Sequence, residues 1–176
     1  MTTVILYGLT GGYVAEDIKR VLSNYGLIAV CGNHISEEKE EPKFLIIEYT
    51  TNANIETNSG IIVMTGEISK SFHLKIPEGY KGIVYSSDIG ALELLRDNNV
   101  TTITCGMSNT DTLMLSSISE NTASVCLQRK IITLSGREVE PREFPIKLKD
   151  RITDYALLAA FGILLLTDTE PRDIEY

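Results

Sequence analysis

Apolar residues follow two rhythms along this chain, and the change between them divides it. In the first half, short continuous runs at residues 3–7, 44–47, 61–65, 82–85 and 100–105 read as strands. The run Phe44-Leu45-Ile46-Ile47 has no polar alternation, the pattern of a strand buried on both faces as in a parallel sheet. Between these runs the period becomes helical. Val14, Ile18, Val21, Leu22 and Tyr25 recur at helical spacing, and residues 89–97 form a second helix with Asp88 or Ser87 as its N-cap and Asn98-Asn99 at its end. Strands alternating with helices or crossover loops predict a mostly parallel sheet.

Beyond Gly106 the β segments crowd together, at 112–118, 123–127, 130–134 and 144–148, which predicts antiparallel hairpins. Ser135-Gly136-Arg137 supplies one turn, and Ile146-Lys147-Leu148-Lys149 gives its strand one buried and one wet face. Residues 33–43, with the acidic run Glu37-Glu38-Lys39-Glu40-Glu41, read as a solvated loop that includes His34. The apolar segment 155–166 falls short of the ~20 residues needed to span a bilayer, so it is assigned as a buried helix with Asp150 or Thr153 near its start. The expected fold class is α/β, a mostly parallel sheet flanked by helices with a small antiparallel extension. Its 176 residues are expected to form a single domain.

Composition excludes several function classes. With a formal net charge of −8 and no Lys/Arg cluster interleaved with aromatics, the chain lacks the footprint of a nucleic-acid binder. Residues 1–6 carry no signal-peptide pattern, so a cytoplasmic protein without a membrane partner is expected, with Cys31, Cys105 and Cys126 as core thiols. Scattered cysteines, and only two histidines, His34 and His73, far apart, argue against zinc. No nucleophile-elbow motif is present.

Two features carry candidate chemistry. The loop Gly8-Leu9-Thr10-Gly11-Gly12 lies between the first strand and the first helix, where backbone amides at a helix start can cradle a phosphate. Glu48 lies where the apolar run 44–47 emerges, the end of the strand at which α/β proteins bind ligands. Each also has a plain structural reading: a tight strand-to-helix turn, and the first solvated residue after a buried strand. A working phosphate loop needs a lysine and a Ser/Thr hydroxyl, whereas Gly12, Tyr13 and Val14 stand in that stretch, followed by the acids Glu16 and Asp17.

The order of these pieces resembles the central, ATP-binding domain of the Mur ligase family. Val4-Ile5-Leu6-Tyr7-Gly8-Leu9-Thr10-Gly11-Gly12 is similar to its strand and Gly-Thr-Asn-Gly-Lys-Thr-Thr loop, and Ile47-Glu48-Tyr49-Thr50-Thr51 to its Glu-Val-Ser-Ser segment. Thr102-Ile103-Thr104-Cys105-Gly106-Met107-Ser108 resembles the family's Val-Ile-Thr-Tyr-Gly-Leu-Ser strand, and Tyr155-Ala156-Leu157-Leu158-Ala159-Ala160 its Asn-Ala-Leu-Ala-Ala helix. The resemblance implies a three-layer, P-loop-type α/β fold and a nucleotide crevice bounded by Gly8, Thr10, Gly11, Gly12, Tyr13, Thr50, Thr51 and Asp88, with Glu48 as the magnesium-binding acid.

Departures fall where the chemistry lies. Gly12 stands at the family's lysine and Tyr13 at its metal-binding threonine, while Ile152-Thr153 stands where His-Asn is usual. The expectation is a non-catalytic binding or interaction module, with ATP and magnesium binding weakened or lost and no ligase activity on its own. Its partner is expected to be another protein or a second copy of itself. The alternatives are an ATP-dependent ligase component completed by a partner protein, and a structural self-associating protein without a ligand.

Overall fold

The computed structural model describes residues 1–8, 12–31, 34–36, 43–50, 55–66, 68, 74–149 and 151–171, with backbone alone for 27–31 and 34–36. The order of elements is β1 Thr2–Tyr7, α1 Gly12–Ser23, β2 Leu27–Cys31, β3 His34–Ser36, β4 Phe44–Tyr49, β5 Ser59–Met64, β6 Gly79–Tyr85 and α2 Ile89–Asp97. It continues with β7 Thr101–Gly106, β8 Leu113–Ile118, β9 Thr122–Leu127, β10 Ile131–Ile132, β11 Glu138–Val139, β12 Arg142–Lys147 and α3 Asp154–Leu166.

Among the described residues, ten strands form one sheet in the order β12-β9-β8-β7-β6-β5-β1-β4-β2-β3. β2, β4, β1, β5, β6, β7 and β8 pair in parallel, while β3 and β9 run against their neighbours. The antiparallel extension is therefore continuous with the main sheet, joined through β8, and only β10 and β11 stand apart as a two-stranded hairpin. That hairpin turns at Gly136, whose φ of 88° lies in the left-handed region that glycine favours.

Strand parity distributes the core. Val4, Leu6, Ile61, Val63, Ile83, Ile103 and Cys105 face one side with α1 and α3, while Ile5, Tyr7, Ile62, Met64 and Val84 face the other with Ala91 and Leu95 of α2. The result is three layers. α1 is amphipathic, turning Ala15, Ile18, Val21 and Leu22 inward. α3 is different: all residues from Ala156 to Leu166 are buried, as expected of a helix apolar around its whole circumference. It approaches the sheet closely at Gly162, where a Cβ would lie 3.1 Å from Ile83 Cδ1.

Two expectations are corrected. The stretch 33–43 is not loop throughout, because His34–Ser36 form β3, an edge strand antiparallel to β2, which places His34 in a strand. Strand β4 is buried on one face only: Phe44 and Ile46 are buried, whereas Leu45 and Ile47 are half-buried. An apolar run therefore did not distinguish full from partial coverage. His73 and Asp150 lie outside the described residues, as does the side chain of Cys31.

Candidate functional site

The parallel strands deliver their carboxyl ends to one side of the molecule. Gly8 leaves β1 there, its N–H donating to Tyr49 O at 3.1 Å, while Thr65 N donates to Tyr7 O at 2.8 Å. A Cβ on Gly8 would collide with the backbone of Gly66, so the chain leaving β1 and the chain leaving β5 approach as only glycine allows. Gly12 opens α1 with φ of 25° and open space around it, and Tyr13 projects into solvent at 86% exposure. Thr50 is exposed. Thr10, Gly11 and Thr51 lie outside the described residues.

Glu48 emerges at the expected place with an internal cation attached. It shares strand parity with Phe44 and Ile46, whose face is covered by α1, and Lys19 on that helix reaches it at 2.8 Å. Lys19 also bonds Glu16 Oε1 at 2.5 Å, so one ammonium bridges two carboxylates. Burial works to lower the lysine's pKa, but the hydrogen bonds and charges of Glu16 and Glu48 outweigh it and hold the ammonium above its ordinary value.

The other acid near the loop is engaged as well. Asp17 pairs with Arg20 at 2.7 Å and accepts from Thr153 N at 3.1 Å. Thr153 is the N-cap of α3 and makes no side-chain capping bond of its own, so a carboxylate from α1 serves that helix start. Asp88 caps α2, its Oδ1 accepting from Ala91 N at 3.0 Å. Of the crevice residues chosen from sequence, Gly8, Gly12, Tyr13, Glu48, Thr50 and Asp88 are described, and they belong to the carboxyl ends of β1, β4 and β6 and the helices that follow.

Three further residues shape this end. Tyr155, in the first turn of α3, donates its hydroxyl to Met64 O at 2.7 Å, with Ile83 O at 3.3 Å, and its ring lies 5.4 Å from that of Tyr85. Burial, with smaller contributions from Cys105 and Asp88, holds this phenol neutral well above its usual range. Asp111 is buried and accepts from Ser108 N at 3.0 Å, and its carboxylate and Ser86 Oγ close around Gly106 so tightly that a Cβ there would strike both. Cys105 is buried too, and burial followed by the charge of Asp111 pushes its thiol well above the usual range, which suits a core thiol. Tyr155 had one sequence signal, a lone hydroxyl at the head of an otherwise apolar segment; Lys19 and Asp111 had none.

A three-layer α/β sheet with loops and helix starts gathered at the carboxyl ends of its parallel strands is a ligand-binding class of fold. At the level of sequence, no protein-family model and no curated protein matches the chain. Solved structures do. MurF from Acinetobacter baumannii superimposes with a TM-score of 0.59 at 12% identity, covering 99% of this chain and 44% of that one. A UDP-N-acetylmuramoyl-L-alanyl-D-glutamate–2,6-diaminopimelate ligase matches at 0.52 and 11% identity over 99% and 44%, and the murein peptide ligase Mpl of Psychrobacter arcticus at 0.52 and 11% over 98% and 45%. The chain has a Mur ligase-like fold. It spans less than half the length of these ligases.

Proposed function

We propose that this protein is a non-catalytic binding or interaction module built on a Mur ligase-like domain whose nucleotide and magnesium chemistry has been weakened or lost. The observation that supports this most directly is the Lys19–Glu48 pair at 2.8 Å. A carboxylate that holds magnesium beside a phosphate meets the cation with its own charge, and here the Lys19 ammonium occupies Oε1 of Glu48 and supplies the neutralising charge itself. The described residues thus do not fit a phosphate-bridging magnesium: Glu16 is turned to the same lysine, Asp17 serves α3, and Asp88 caps α2. Gly12, at the position of the lysine, offers no charge, and Tyr13, at the position of the metal-binding threonine, carries its hydroxyl at the far end of a ring that projects into solvent.

The surface around the crevice favours binding to another molecule over phosphoryl transfer. Tyr13, Ile89 and Met107 are more than half exposed, and Tyr85 partly so, all four at the carboxyl end of the sheet. Calorimetric titration with ATP and magnesium, run beside a phosphate-release assay, tests the reading. Little or no heat and no turnover are expected. Magnesium-dependent binding with a dissociation constant of about 1 μM or tighter, roughly −8 kcal/mol, overturns it and favours a ligase component completed by a partner.

A further inference from the structure

The opposite end of the same strands holds a cavity that the reading above does not use. It lies on the α3 side of the sheet, where the early residues of β6 and β7 meet the end of α3 and the approach to β10, with a volume of about 370 Å³. Its floor is apolar, made by Ile103, Ile131 and Leu166. Its rim carries Lys81, Arg129 and Lys130, with the hydroxyl residue Thr101 beside Lys81 in register. In a chain with a formal net charge of −8, three cations converge here and no carboxylate lines the cavity among the described residues.

The three cations are not equivalent. Lys130 is held at 2.9 Å by Glu138, and Arg129 donates to Thr110 O at 2.7 Å, which orders its guanidinium without neutralising it. Lys81 is half-buried and makes no ion pair among the described residues. A lysine that gives up part of its hydration without a carboxylate in return is an incomplete arrangement, and an anion in the cavity completes it. The volume falls in the range of small-molecule sites, where an apolar body is buried and a few charged groups fix its orientation.

We infer that this cavity binds a small organic anion, a phosphate ester with a compact apolar body, whose charged head meets Lys81 and Arg129 while the body covers Ile103, Ile131 and Leu166. Arg129 offers the planar donor pair that suits a phosphate, and Lys81 the point charge. The site is separate from the carboxyl-end crevice, so its fate does not depend on whether that crevice binds nucleotide.

Phenyl phosphate serves as the probe, titrated into the whole protein and followed by backbone amide NMR shifts, with benzyl alcohol as the uncharged comparison. Saturable shifts at Thr101, Thr102 and Ile131 are expected with phenyl phosphate, and affinity is expected to fall about tenfold or more in Lys81→Met, as removal of one charge-assisted contact to the ligand implies. Arg129→Gln, at an exposed position, gives a second reading that does not depend on how Lys81→Met folds, and a fall of similar size is expected. Absence of saturable shifts at these residues, equal affinity for benzyl alcohol, or unchanged affinity in Arg129→Gln overturns the proposal.

Discussion

The core beneath α3 and the crevice at the carboxyl ends of β1, β4 and β6 are built from the same strands, yet different forces decide them. Beneath α3 the core positions, among them Ile83, Ile103, Leu113 and Phe144, are apolar and their neighbours are set by packing: Phe161 is fully buried and meets the Phe144 ring edge-on with centroids 4.9 Å apart. In the crevice the neighbours are set by charge, with Lys19 on Glu16 and Glu48, and Asp17 on Arg20 and Thr153. A core of this kind maintains a fold whatever the loops contain, because burial is non-directional. A catalytic site needs particular charges left free, and on the reading proposed above a single lysine, Lys19, engages two of them without disturbing a strand.

The comparison is most sharply broken by a cavity in the first region. Phe161→Ala is expected to cost about 3–5 kcal/mol, a large share of the stability of any domain this size, and urea unfolding measures it. A loss below about 1 kcal/mol would place α3 outside the structural core. Next in size is Tyr155→Phe, which leaves Met64 O without its donor at 2.7 Å; about 1–2 kcal/mol is expected, read from the same unfolding curves.

The crevice responds differently. Lys19→Met is expected to lower stability by about 1 kcal/mol, since it leaves Glu48, only 25% exposed, near Glu16 with no cation between them. It also frees two carboxylates, so thermal melts with and without magnesium are expected to show a magnesium-induced rise in the variant that wild type lacks. Equal shifts in both proteins would mean that Lys19 is not what keeps a divalent ion from Glu48.

The smallest effect is in pH. Because the folded-state pKa of Lys19 is raised, its contribution is whole below the unfolded value of about 10.4 and is lost as pH rises through the folded value. The stability difference between wild type and Lys19→Met is therefore expected to be constant around neutral pH and to shrink in the alkaline range above about 10.4. Unfolding curves at increasing pH check this, and a difference that persists unchanged well into the alkaline range would mean that the Lys19 ammonium does not stabilise the fold through Glu16 and Glu48.

The two regions were also unequally legible. Helix α2 was readable to its ends because its cap, its period and its stop are local: Asp88 accepts a hydrogen bond from Ala91 N three residues on, and Asn98 stands at the C-cap. α1 and α3 were readable because burial leaves a periodic or continuous apolar record. The pair Lys19–Glu48 left no such record, since 29 residues separate them and only the sheet order, with β4 beside β1 and α1 over that face, brings them together. Asp17 and Thr153 are 136 residues apart. Strand β3 escaped because three polar-flanked residues at a sheet edge carry neither alternation nor an apolar run.

The position of α3 in the chain has a consequence for synthesis. The most apolar helix follows every strand, so a nascent chain makes β1 through β12 before it makes the element that covers Ile83, Ile103, Cys105 and Leu113. Until then the part of that face formed by β6, β7 and β8 has no lid of its own, since α1 covers the β1 and β4 side, and exposed apolar strands are the species that chaperones and aggregation compete for. At ordinary elongation rates of about 5–20 residues per second, that interval lasts seconds after the first strands emerge, which makes the moment α3 leaves the ribosome the step at which this fold becomes secure.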